Sequence, residues 1–159
     1  MTSKIKNKIW KPNRHRFQAL PILLLRAREA SIKNVRPVFR KFDMTEQRWR
    51  ILRSLYDTEV LSAGELAQQV FLSMTSISRI TKQLSEEKLV TRKIDPLDKR
   101  SILFSITQKG RILCSRIGPA LEAKHAETFN DLDKIDMDEL EKTLNTLIGE
   151  LGDLTIPGN

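Results

Sequence analysis

The stretch SMTSISRITKQLSEEKLVTRKIDPLDKRSILFSI, residues 73–106, decides the fold of this chain. Its first half sets Ile77, Ile80 and Leu84 at helical spacing, which predicts a helix from Ser73 to about Lys88 with one buried stripe. Then the period changes. Residues Val90 to Ile94 alternate apolar and polar, as do Ile102 to Ile106, and the turn-rich Asp95-Pro-Leu-Asp-Lys-Arg-Ser101 lies between them. Alternation broken by turn residues predicts a β-hairpin.

Immediately before this stretch, Ser62-Ala-Gly-Glu65 has the form of a capping box, so a short helix carrying Leu66, Ala67 and Val70 starts there and stops near Phe71 or Leu72. Two short helices joined by a tight turn make a helix-turn-helix, and the hairpin behind it is a wing. Further upstream, Thr45 is a good N-cap with Glu46 beside it, and Trp49, Leu52, Leu55 and Tyr56 follow at helical spacing to about Asp57. From Gln18 to about Lys41, Leu20, Leu23, Leu24, Ala27, Ala30, Val35, Val38 and Phe39 predict a long helix, which Pro37 should bend near Lys33 or Asn34. Downstream, Thr107 caps a helix running towards Asn130, where Gly118-Pro119 should bend or interrupt it. A last helix opens at Asp136 and carries Leu140, Leu144, Leu147, Ile148 and Leu151.

The expected class is therefore mainly α with a small β-hairpin wing. Residues 43–106 form a winged helix-turn-helix DNA-binding lobe, residues 18–42 and 107–152 a helical dimerisation region, and residues 1–17 a basic flexible arm. The dimerisation reading follows from apolar surface: neither terminal helix has a uniformly polar outer side, so a shared core between two copies is expected.

Charge narrows the function. The formal net charge is +8, and residues 1–41 hold twelve Lys and Arg against the single acid Glu29. A basic surface gains free energy by displacing counterions condensed on nucleic acid, so a polyanionic partner is indicated. The single cysteine, Cys114, excludes an internal disulfide and a cysteine-rich zinc site, which fits a reducing cytoplasm. The longest apolar run, Leu20 to Leu25, is far short of the ~20 residues that cross a bilayer. No phosphate loop or nucleophile elbow is present, and His125 with Glu122 or Cys114 is too sparse for a metal site. No enzyme, cofactor or metal is expected.

On a helical wheel Thr75, Ser78, Arg79 and Lys82 project opposite Ile77, Ile80 and Leu84. Thr and Ser can bond phosphates or base edges, Arg can take guanine bidentately and Lys neutralises phosphate, so this face, with Ser73 and Ser76 at its start, suits the major groove. In the hairpin Asp98 precedes Lys99 and Arg100, and a carboxylate two residues before an arginine can hold the guanidinium and stiffen the tip. Such a tip can present Arg100 to a minor groove.

With these elements in this order, the sequence resembles the MarR family. Its wing motif of Asp, any residue and Arg, followed by Thr-x-x-Gly, is matched by Asp98, Arg100, Thr107 and Gly110. The resemblance covers about residues 18 to 152 and implies a homodimeric repressor that binds palindromic double-stranded operator DNA and is released by small, often aromatic, anions. Within the family, Ala27-Arg-Glu-Ala30, Arg36-Pro37 and the run from Met44 to Ile51 are similar to regulators of homoprotocatechuate and 4-hydroxyphenylacetate degradation. A small aromatic carboxylate is then the expected effector, with Trp49 as an apolar wall and Arg28 or Arg40 receiving the carboxylate. The basic arm departs from the family's usual start. Two other readings fit the same lobe: a ligand-insensitive architectural or anti-silencing DNA binder, and a protein-interaction module.

Overall fold

The computed structural model describes residues 16–129 and 135–152. The chain divides into two compact units, residues 1–33 and 34–159. Helix α1, Arg16–Lys41, begins in the first unit and ends in the second. It is helical throughout, Pro21 and Pro37 included. Of the basic arm expected over residues 1–17, Arg16 and Phe17 instead open α1, and the remainder lies outside the described residues. In the first unit Ile22, Leu23, Leu24 and Leu25 are all exposed.

The second unit continues with α2 (Glu46–Asp57), β1 (Val60–Ser62), α3 (Ala63–Val70), α4 (Met74–Glu86), β2 (Val90–Ile94), β3 (Ile102–Ile106), α5 (Gln108–Phe129) and α6 (Met137–Leu151). Each helix of the winged lobe starts on a side-chain cap. Thr45 Oγ1 accepts the Arg48 N–H at 3.2 Å, and Ser73 Oγ accepts the Ser76 N–H at 3.3 Å. At α3 the capping box closes both ways, since Ser62 Oγ accepts from the Glu65 N–H at 3.3 Å and the Ser62 N–H donates to the Glu65 carboxylate at 2.8 Å. The Ser62 backbone N–H and then its hydroxyl hold the Glu65 carboxyl below its ordinary pKa.

Helix α3 stops where Phe71 turns left-handed (φ 51°), and α4 stops where Lys88 does the same (φ 60°). The second stop comes two residues earlier than the periodicity predicts. It is a C-terminal motif in which the Leu89 N–H reaches back to the Leu84 carbonyl at 2.9 Å, satisfying a carbonyl the helix would leave free.

The antiparallel sheet has the order β1-β3-β2, with Leu61 opposite Phe104 and Arg92 opposite the other side of Phe104. Strand β1 was not expected. It is too short to show alternation and is stabilised by pairing with β3. The core of this unit joins Val35, Phe39 and Met44 to Ile51, Leu52 and Leu55 of α2, Leu66 of α3, Ile77, Ile80 and Leu84 of α4, and Ile117 and Leu121 of α5. Each such side chain contributes about 1.5–3 kcal/mol when fully buried. Thr81 is fully buried among them and donates its hydroxyl to the Ile77 carbonyl at 2.7 Å, so its polarity is satisfied inside its own helix.

Gly118-Pro119 does not interrupt α5, which runs from Gln108 to Phe129. Proline removes only the N–H that would bond the Ser115 carbonyl, and Ser115 and Pro119 are both exposed, where water can serve that carbonyl. The start of α5 is fastened to the exit of α4. Thr107 donates its N–H to the Leu89 carbonyl at 3.0 Å and its hydroxyl to the Lys88 and Leu89 carbonyls at 2.8 and 3.1 Å. Its Oγ1 in turn accepts from the Gly110 N–H at 3.1 Å. A Cβ on Gly110 would lie 2.4 Å from the Leu89 carbonyl oxygen and 2.7 Å from Ile106 Cγ1.

That contact explains the Thr-x-x-Gly spacing and generates a test. Gly110→Ala should lower stability by about 1–3 kcal/mol through overpacking, although alanine is the better helix former. Chemical denaturation at fixed protein concentration would show it, and a variant as stable as the wild type would mean that the clamp yields freely.

Candidate nucleic-acid interface

Helix α4 buries Ile77, Ile80, Thr81 and Leu84 and leaves Thr75, Ser78, Arg79 and Lys82 exposed on its other side. Ser73 and Ser76 are half-buried and occupied in the helix start, where the Ser73 hydroxyl donates to Ser76 Oγ at 3.1 Å. They set the entry of the helix, and the four exposed side chains form its open polar face.

The wing tip is built by carboxylates. Asp95 accepts the Leu97 N–H at 2.8 Å, and Asp98 Oδ1 accepts both the Arg100 N–H at 3.0 Å and Arg100 Nε at 3.2 Å. Two backbone bonds close the loop, from the Asp95 N–H to the Ser101 carbonyl at 3.0 Å and from the Ser101 N–H to the Asp98 carbonyl at 2.8 Å. The Arg100 side chain remains 92% exposed. An ion pair this exposed adds little stability, so its effect is to aim the guanidinium.

Helix and wing meet across a cavity of about 490 Å³, lined among others by Ser78, Arg92, Asp98, Arg100 and Phe104. Sequence reading had not singled out Arg92. Its guanidinium lies 5.8 Å from the Phe104 ring centroid, a cation held over an aromatic face between the two candidate DNA-reading elements. The available signal was its place in the hairpin register, opposite the apolar Phe104.

Trp49 is half-buried against the core and lines a second cavity of about 410 Å³ with Arg50, Arg53, Ser54, Asp57, Thr58, Gln69 and Val70. Arg50 Nη1 donates to the Val70 carbonyl at 2.6 Å, and Arg53 Nε donates to Asp57 at 2.9 Å. Of the two cations expected beside Trp49, Arg40 is exposed on α1, and Arg28 lies in the first unit, where it pairs with Glu29 at 2.8 Å. The cations that line this cavity are Arg50 and Arg53, the latter one helical turn from Trp49. That i, i+4 spacing was readable in the sequence and had not been used.

Residues 44–102, from the α1–α2 loop to the start of β3, match the model of the MarR family. This segment is a MarR family domain. Over 143 residues the chain is 29% identical to the homoprotocatechuate degradative operon repressor of Escherichia coli, spanning 89% of this chain and 97% of that one. It is 28% identical over 140 residues to the HTH-type transcriptional regulator FarR of Neisseria gonorrhoeae, spanning 88% and 93% respectively. Among solved structures, NadR in complex with 4-hydroxyphenylacetate matches with a TM-score of 0.74 at 28% identity, over 86% of this chain and 97% of that chain. The MarR domain thus contains α4, the wing tip and the Trp49 side of the second cavity.

Cys114 lies on α5, outside the residues matched to the MarR domain. It is buried, and desolvation pushes its thiol up to about 11 despite the opposing charge of Arg53. Thiolate is scarce at neutral pH, so iodoacetamide should label the folded protein at least about tenfold more slowly than the denatured chain. Equal rates in the two states would show that the thiol is open to reagent.

Proposed function

We propose that this protein is a homodimeric transcriptional repressor that holds palindromic operator DNA with α4 and the wing, and that a small aromatic carboxylate releases it. The observation that carries the DNA-binding half is the joint placement of the open face of α4 and the Asp98-held Arg100 around one cavity within one unit. Ser78 and Arg79 face the bases of a major groove, Thr75, Lys82 and Lys99 meet phosphates, and Arg100 enters the neighbouring minor groove. Arg92 joins them as the support between helix and wing. Homodimerisation is supported by the exposed Ile22 to Leu25 run and, separately, by α6, which has no buried residue and exposes Leu140, Ile148 and Leu151. Apolar surface of this extent favours burial against a second copy.

The ligand half rests on the cavity beside Trp49 and on the relatives, one a homoprotocatechuate degradative operon repressor and one solved with 4-hydroxyphenylacetate. An aromatic acid would lay its ring against Trp49 and set its carboxylate towards the Nη groups of Arg53, whose Nε is already held by Asp57. Among the other lining residues, Ser54, Thr58 and Gln69 offer polar groups for a phenolic hydroxyl. A ligand placed there releases DNA only through its differential affinity for the bound and free arrangements of the dimer, a coupling of about 1–3 kcal/mol.

Mobility-shift titration on the DNA upstream of its own gene tests the first half. Arg79→Ala should cost about 1–3 kcal/mol and relax base preference at one position per half-site, with half-sites about one helical turn apart in a footprint. Arg100→Ala and Asp98→Ala should weaken binding in parallel, and wild-type affinity in both would remove the wing from the interface. For the second half, hydroxyphenylacetates should lower operator affinity, and Arg53→Ala should keep operator binding while losing most of that response. If no such acid binds the wild type at millimolar concentration in calorimetry, the effector is of another class.

A further inference from the structure

We propose that Arg48 is the positioning residue for α4, a strut that ties the loop between α1 and α2 to the last turn of the reading helix. This rests on the regulator reading and adds to it a group that touches no DNA. Arg48 stands in the first turn of α2, with its side chain only 15% exposed. Its Nη1 donates to the Asp43 carbonyl at 3.4 Å, in the loop where Asp43 adopts φ 50°, and its Nη2 donates to the carboxylate of Glu87. Its Nε is buried and has no hydrogen-bond partner among the described residues, so the Nη contacts carry the balance of a desolvated cation.

Glu87 is the C-cap of α4. General electrostatics disfavours an acid there twice over, because a helix C-terminus is the negative end of the dipole and a DNA-facing element gains nothing from a carboxylate. The pair with Arg48 accounts for it. The Glu87 carbonyl also accepts Lys109 Nζ from α5 at 2.8 Å. Helices α2 and α5 therefore meet at the residue that ends the reading helix, and Arg48 links the α1–α2 loop to it. Arg48 is also the neighbour of Trp49, so α2 carries the strut on one side and the wall of the second cavity on another.

The sign of one substitution separates positioning from charge. Glu87→Gln removes a negative charge, so electrostatics alone would tighten binding to any duplex. If the strut sets the angle of α4, the same change should weaken specific operator binding about tenfold while affinity for a random duplex stays equal or rises. The measurements are fluorescence-anisotropy titrations of the full-length protein on both duplexes, with Glu87→Gln, Arg48→Met and the double variant, each checked by thermal denaturation. The double variant should bind operator no more weakly than the weaker single one, since both weaken the same Arg48–Glu87 ion pair. Should Arg48→Met not fold, Glu87→Gln, whose carboxylate is 45% exposed, carries the test alone. A Glu87→Gln protein that binds operator as tightly as the wild type, or weakens equally on both duplexes, overturns the strut while leaving the regulator reading in place. A wild type with no preference for operator overturns that reading and the strut with it.

Discussion

The carbonyl oxygen of Leu89 is the point on which the winged lobe is assembled. It receives the Thr107 N–H and hydroxyl, and Gly110 packs so closely against it that no side chain fits between. Leu89 itself closes the end of α4 through its N–H to Leu84. Thr107 directly follows β3, so the reading helix, the return strand of the wing and the first turn of α5 share one hydrogen-bonded junction. Each partner is a backbone group or a short side chain with little freedom to give. A shift of α5 in this arrangement cannot leave α4 and the wing unmoved.

This junction also explains how much of the lobe was legible in the sequence. Periodicity found α4 and the hairpin because Ile77, Ile80 and Leu84 at one spacing and Phe104 and Ile106 at another report directly which faces are buried. The caps at Thr45 and Ser62 were readable because a cap is local chemistry, settled within four residues. What sequence missed depends on partners far along the chain. Strand β1 is stabilised by register with β3, more than forty residues away. That Pro119 would not interrupt α5 depends on whether the freed carbonyl meets water, which local sequence does not state. Nothing local marks Arg92, Arg50 and Arg53, since only the packed lobe brings them to cavities beside Phe104 and Trp49.

Charge in the lobe is ordered by use. At the wing tip Asp98 is committed to Arg100, and the side chain of Asp95 to the loop backbone, so neither carboxylate is left as a bare opposing charge beside the exposed cations. The interactions are weak as stability terms at this exposure, yet they reduce the number of directions the arginine samples. In the proposed complex that order matters, because an aimed side chain has less freedom to lose when it enters a groove.

The same economy bears on how a small acid could act at a distance from the bases. An effector changes DNA affinity only if its site differs between the two arrangements, so its cavity must adjoin an element that the reading helix feels. Helix α2 meets that requirement on the geometry. Trp49, Arg50 and Arg53 face the cavity, while Ile51, Leu52 and Leu55 are fully buried and Arg48 reaches the end of α4. A packed interior transmits displacement instead of absorbing it, so a ring wedged against Trp49 would load Ile51, Leu52 and the Arg48–Glu87 contact together. The coupling then needs no separate pathway, because the wall of the cavity and the support of the reading helix are successive residues of one helix.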